Sequence, residues 1–212
     1  MSNDLTKFFG SNLPTTPTIL SNALGSLAAS KRAGGGALIL KFGKSGEWGF
    51  GPDSEPLDDG DKLIVDPHSF QVGYIAWHNS AVEGEKMWPV NAVPSDAGDQ
   101  LFAVQAKDGW QPQLAFSAII PAGGTTDDIP VVFKSSSLGG TDAIKALAGE
   151  IARGLESYAG AYPVIELSSD SYKHKQYGTV HKPQFKLVGW VDATRTSVTA
   201  GNIANGGRKS LL

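Results

Sequence analysis

The fold reading turns on PVIELSSDSYKHKQYGTVHKPQFKLVGWVD, residues 163–192. An apolar run, Val164, Ile165 and Leu167, enters a polar segment, and a second run, Phe185, Leu187, Val188, Trp190 and Val191, leaves it. Short runs rich in Val and aromatic residues predict two strands, with Ser168–Gln184 as their connection and strand ends. Between Ser171 and Trp190 stand four lysines, two histidines, two tyrosines, one phenylalanine and one tryptophan, and no carboxylate. Single-stranded nucleic acid calls for both kinds of side chain, cations for its phosphates and flat rings for its bases. The competing reading is a solvated hairpin whose rings merely pack.

Just upstream lies an amphipathic helix, Thr141–Tyr158. Ile144, Leu147, Ala148, Ile151, Leu155 and Tyr158 recur at helical spacing and form one apolar stripe. Thr141 reads as the N-cap, with Asp142 near the positive end of the helix dipole and Gly160 as the stop. Gly149 and Gly154 each weaken such a helix by roughly 1 kcal/mol relative to alanine, which points to close packing on a sheet. Before the helix, Gln111–Ile120 alternates Leu114, Phe116, Ala118 and Ile120, and Ile129–Lys134 returns as a second strand. Glu83–Val90 precedes them. Three strands, a helix and two strands is the element order of an OB-fold. The expected fold is mainly β with one principal α-helix: an OB-like Greek-key barrel with extra N-terminal strands. A β-sandwich with a covering helix is the alternative.

The N-terminal strands begin at Ala37–Phe42, which turns through Gly43–Gly46 into Glu47–Phe50 as a hairpin. An acidic loop, Gly51–Gly60, holds Asp53, Glu55, Asp58 and Asp59, with Asp61 and Asp66 flanking a strand at Lys62–Val65. Pro67 breaks that strand. Phe70–His78 carries apolar residues on both faces and reads as a central strand. Asn91–Gly109 is the loosest boundary in the chain, a candidate division between an N-terminal and a C-terminal β-unit, with a short strand expected at Leu101–Gln105. Residues 1–36 read as an arm with a short helix at Thr18–Ser30, residues 37–192 as a single β-rich domain, and residues 193–212 as a tail.

Composition narrows the classes. With 26 glycines, 12 prolines and 41% hydrophobic residues, the chain suits a turn-rich β fold with a core. It has no cysteine, so disulfides and thiolate metal sites are excluded. The N-terminus lacks a secretory signal pattern, and no apolar run approaches the ~20 residues of a membrane helix, so a cytoplasmic, membrane-free protein is expected. Net charge is −3, but unevenly spread. Residues 1–130 hold 8 Lys and Arg against 15 Asp and Glu, whereas residues 131–212 hold 10 against 6. The second part is therefore basic, and binding follows local potential.

The expected nucleic-acid-binding set is Lys173, Lys175, Lys182 and Lys186 for phosphates and Tyr172, Tyr177 and Trp190 for bases. Lys134 joins them at the head of KSSSLGGT, residues 134–141, whose hydroxyls and backbone N–H groups precede a helix N-terminus. Alternation places Lys173, Lys175 and Tyr177 opposite Tyr172 and His174, and puts Lys186 and Trp190 on one face outside the core. Asp58, Asp59 and Asp61 lack calcium-loop spacing. The four histidines show no metal-ligand spacing, and no nucleophile elbow is present. Neither cofactor nor metal is expected, and a binding protein is expected rather than an enzyme.

SDSYKHKQYGTVHKPQFKLVGW, together with GGGALILKFGKSGEWGFG upstream, resembles a group of phage-encoded proteins from DNA replication and recombination gene sets. The resemblance spans roughly residues 34–192 and implies a single-stranded-DNA-binding protein of a phage, acting in the host cytoplasm. Such proteins often end in an acidic tail that recruits partners, whereas this chain ends in Arg208, Lys209, Ser210, Leu211 and Leu212. The acidic 51–66 segment is the substitute surface for a protein partner, and a homodimer is a further expectation. The alternative function is a β-rich phage interaction protein that binds a host or phage protein.

Overall fold

The computed structural model describes residues 37–121, 128–176 and 178–200. The expected arm with its Thr18–Ser30 helix, Tyr177 and the end of the tail lie outside them.

Strands β1 (Leu38–Phe42) and β2 (Trp48–Phe50) form the expected hairpin, with Leu40 opposite Phe50. β2 continues into β3 (Glu55–Leu57). β4 (Lys62–Val65) is followed by β5 (Gln71–His78), which lies between β6 (Ala81–Pro89) and β7 (Gln111–Ile120). β8 (Ile129–Ser135) returns beside β7 and also takes β1 as a parallel neighbour. After helix α1 (Leu138–Gly154) come β9 (Tyr162–His174) and β10 (Gly178–Val191). The resulting sheet has the order β10-β9-β4-β7-β8-β1-β2-β3, with the β5–β6 hairpin branching from β7. No strand forms at Leu101–Gln105, and Asn91–Gly109 marks no domain boundary, because β5 pairs with the strands on either side of it.

The branch has a local cause. β7 shares one edge between two partners: Ile119 and Ala118 pair with β4, and Ala115 to Gln111 pair with β5. Pro67 lies between those partners and has no N–H for a ladder. The gap is bridged by one backbone bond, Asp66 N–H to Ser117 O at 3.0 Å, and by side chains. Ser117 N–H donates to Ser69 Oγ at 2.8 Å, and the Asp66 carboxylate accepts from His68 N–H at 2.9 Å. The sheet therefore splits at Asp66–Phe70, and β5–β6 leaves in its own direction.

The two ends of the sheet face each other through side chains. Trp48 of β2 is 2% exposed, sits 5.4 Å from the Phe185 ring of β10, and donates its Nε1–H to Ser168 O at 3.2 Å. Phe116 and Phe133 complete this aromatic centre, with Leu40, Leu63, Val65, Val131, Ile165 and Leu167 buried around it. Fully burying such side chains stabilises the fold by about 1.5–3 kcal/mol each. No strand pairing joins β3 to β10 among the described residues. The protein is mainly β with a single described helix, as expected, but the OB-like barrel does not close. The sandwich-like alternative describes the architecture. Element order could not reveal this, because β4, treated as an extra N-terminal strand, inserts between β9 and β7.

Helix α1 packs Ile144, Leu147 and Ile151 into the core. Its N-cap is Ser137, not Thr141: the Ser137 Oγ accepts from Gly140 N–H at 3.1 Å. Thr141 falls inside the first turn, buried, with its hydroxyl donating to Leu138 O. The helix ends at Gly154 rather than running to Tyr158. A methyl group at Gly154 would collide with the Trp190 indole, so that glycine does permit close packing, while Gly149 has only Arg153 nearby. Residues after β10 fold back: Val198 N–H donates to Trp190 O at 2.9 Å, and Val198 packs on the core.

Candidate nucleic-acid interface

Ser168–Gln184 proves to be strand on both sides. The β9–β10 ladder runs unbroken from Gly178 opposite His174 to Leu187 opposite Ile165. β4, the other neighbour of β9, reaches only to Lys62 opposite Glu166. One further pair of backbone hydrogen bonds, between Leu167 and Gly60–Asp61, ends the shared edge. Beyond it the hairpin continues as a two-stranded ribbon with no third strand paired to it among the described residues.

The ribbon sorts the expected residues. Lys173 is exposed opposite Thr179, Lys175 is exposed at the tip, and Tyr172 is 49% exposed opposite Val180. Antiparallel partners share a face, so Tyr172 lies with the Asp170–Lys182 pair and Lys173 lies with Ser171 and His181 on the other. Lys173 and Lys175 belong to no ion pair among the described residues.

Three expected residues are differently placed. Lys182 sits 3.1 Å from the Asp170 carboxylate, its direct cross-strand partner. The Lys182 hydrogen bond, then the Ser171 N–H and the Lys182 charge, hold the Asp170 carboxyl below its ordinary range. Lys134 is taken up by Glu85 of β6 at 2.8 Å and lies off the ribbon. Trp190 is corrected outright. A β-bulge between Leu187 and Gly189 shifts the alternation, so Phe185 and Trp190 both point inward. Trp190 is 5% exposed and stacks on Tyr158 at 4.9 Å. Val188, the extra residue, faces solvent in its place. Lys186 remains exposed, opposite Glu166, which pairs with Lys62 at 3.7 Å. Tyr177 lies outside the described residues.

The carboxylate-free stretch is thus not carboxylate-free in space. Antiparallel pairing lays Asp170 beside Lys182 and Glu166 beside Lys186. It leaves the ribbon tip and the Lys173 face as the cationic part. The fold adds a residue that linear reading missed. A methyl group at Gly46, in the β1–β2 turn, would lie 2.6 Å from His181 Nδ1, so the turn carrying exposed Lys44 rests against this same face. Lys44 is distant in sequence, and no local pattern ties it to the hairpin.

The remaining candidates are structurally occupied. The hydroxyl of Ser137 in the KSSSLGGT segment already caps the helix. In the acidic segment, Asp61 accepts from Asp58 N–H, closing a turn at 2.9 Å, while Asp53, Glu55, Asp58 and Asp59 are exposed. Among the described residues no group of three or more His, Asp or Glu side chains is placed to hold a metal, and no helix is long and apolar enough to cross a membrane. No family model, curated protein or solved structure matches the chain.

Proposed function

We propose that the chain binds single-stranded DNA without reading its sequence, as a non-catalytic phage replication or recombination protein of the host cytoplasm. The observation that carries this reading is the cationic tip and Lys173 face of the β9–β10 ribbon. Lys173 and Lys175 are exposed and unpaired on it, with Lys44 close by and the Tyr172 ring half in solvent. A ribbon of this kind tracks a flexible backbone by charge, and a half-exposed ring meets bases only where they are unpaired. Lys44, Lys173, Lys175 and Lys186 as phosphate contacts give a slope of log affinity against log salt of about −2 to −3. Anisotropy of labelled oligo-dT across a salt series tests this. Binding that weakens with that slope supports the reading, and a folded protein that binds no oligonucleotide at low salt overturns it. Degradation of the oligonucleotide on adding magnesium would overturn the non-catalytic part.

A further inference from the structure

Three of the five tryptophans, Trp77, Trp88 and Trp110, lie on the β5–β6 hairpin and the segment that returns from it, while Trp48 and Trp190 are buried in the core. Along β6, Gly84, Lys86 and Trp88 alternate onto one face. Tyr74, on β5, meets Trp88 edge to face at 6.5 Å. A methyl group at Gly84 would lie 2.5 Å from the Trp110 ring and 2.7 Å from the Phe102 ring, so these two cover the same face further along. They also meet edge to face, at 5.1 Å. Lys86 stands in the row between the two ring pairs and joins no ion pair among the described residues.

This ring surface is held rigidly. The Glu83 carboxylate accepts from Gln105 N–H at 2.7 Å and from Ala106 N–H at 2.9 Å, fastening the returning segment to β6. Trp110 Nε1–H donates to Phe102 O at 2.9 Å. The surface is also not sealed. Phe102 is 51% exposed, and neither the Tyr74 hydroxyl nor the Trp88 indole N–H has a partner among the described residues. An edge-to-face pair leaves ring faces open to a third flat group. The returning segment itself is net acidic, with exposed Asp96, Asp99 and Asp108 against Lys107, so Lys86 is the cation that the ring surface offers a phosphate.

We infer that Tyr74, Trp88, Phe102 and Trp110 form a second binding surface, one that stacks unpaired nucleobases, with Lys86 set to meet a phosphate between them. The inference rests on the single-stranded-DNA reading and divides its labour. The β9–β10 ribbon supplies the salt-sensitive part of binding, and this surface supplies a largely salt-insensitive part. Base–ring stacking is strong enough to matter, and it accepts any base because every base has a flat face.

The test uses the full chain, its own tryptophan fluorescence, unlabelled oligo-dT, and an abasic deoxyribose-phosphate oligomer of equal length and charge. Oligo-dT is expected to quench and shift the emission, while the abasic oligomer binds about tenfold more weakly and leaves the emission unchanged. Trp88→Leu and Phe102→Leu keep the local packing apolar, and each is expected to weaken oligo-dT about five- to tenfold with the salt slope unchanged. Oligo-dT binding with no quenching, and with both variants at wild-type affinity, overturns the second surface and leaves the first reading standing. Equal binding of the abasic oligomer overturns base stacking at both the second surface and Tyr172, and leaves only the phosphate contacts of the ribbon. Absence of any oligo-dT binding at low salt overturns both. If either leucine variant unfolds, the tryptophan emission of the wild-type chain still decides, because Tyr172 on the ribbon also favours dT over the abasic oligomer but carries no indole: a quench by oligo-dT and none by the abasic oligomer supports the surface, and no quench by bound oligo-dT overturns it.

Discussion

The two long hairpins, β5–β6 and β9–β10, are built alike and finished differently. Each runs past the strands that support it, β5–β6 beyond Gln111 of β7 and β9–β10 beyond Lys62 of β4. The β9–β10 ribbon ends in lysines and has one described ring, Tyr172, in solvent. The β5–β6 hairpin carries a cluster of rings with Lys86 as the cation in its row. The difference teaches that a sequence window dense in both cations and aromatics is sorted by the fold: its lysines stay outside on the ribbon, while Phe185 and Trp190 turn into the core. The ribbon tip is made of exposed residues and tolerates charge, whereas the rings on β5–β6 pack under a second layer, the segment fastened by Glu83.

The largest expected effect breaks the support of one hairpin and spares the other. Trp48 ties β2 to β9 and β10 and touches neither β5 nor β6 through its ring contacts. Trp48→Ala should cost about 3–5 kcal/mol in denaturant unfolding. Amide exchange in β9–β10 should rise before that in β5–β6.

Next comes Gly154→Ala. Alanine favours a helix by about 1 kcal/mol, but its methyl group meets the buried Trp190 ring, and overpacking costs roughly 1–3 kcal/mol. A net loss of about 1 kcal/mol in denaturant midpoint analysis is expected, and a gain would show that Trp190 moves freely.

Lys173→Ala with Lys175→Ala sharpens the comparison itself. Removing two phosphate contacts should reduce the magnitude of the salt slope by about 1.4 and weaken oligo-dT roughly tenfold, without altering the tryptophan quench at saturation. Asp170→Asn works in the other direction. It releases Lys182 from its partner and should strengthen binding about threefold while steepening the slope by about 0.7.

The smallest effect is one of pH. The Asp170 carboxyl is held low in the folded chain, so its tie to Lys182 is fully present above the ordinary carboxylate value. It is lost only as pH falls through the lowered folded value. Oligo-dT affinity from pH 8 to pH 5 should therefore show no rise from Lys182 release, and Asp170→Asn should stay tighter across that range.

Much of the fold was legible because it depended on local pattern. Gln111–Ile120 and Lys62–Val65 are strands at those bounds, and the β1–β2 hairpin forms around Gly43–Gly46. What the pattern did not contain was pairing. The parallel match of β1 with β8 and the insertion of β4 beside β9 join segments far apart in sequence, and they decide that the sheet stays open. The bulge at Val188 is a single-residue shift, yet it moved Trp190 from the surface to the core. The helix start went to Ser137 over Thr141 because the Ser137 hydroxyl accepts a first-turn N–H, that of Gly140, while the Thr141 hydroxyl donates back to Leu138 O, a choice that the residue types alone do not show. At the candidate site, Lys173, Lys175 and Tyr172 were readable from a dense local stretch. Lys44 and the ring cluster were not, since Tyr74, Trp88 and Phe102 come from separate segments.

The most direct test of the divided labour is one set of salt titrations of labelled oligo-dT, on wild type, the Lys173→Ala and Lys175→Ala double variant, and the Trp88→Leu and Phe102→Leu double variant. The account predicts that the lysine variant flattens the slope by about 1.4, while the ring variant keeps the wild-type slope and loses affinity by a constant factor at every salt concentration. Two variants that change slope and affinity in the same way, or a ring variant indistinguishable from wild type, would contradict it.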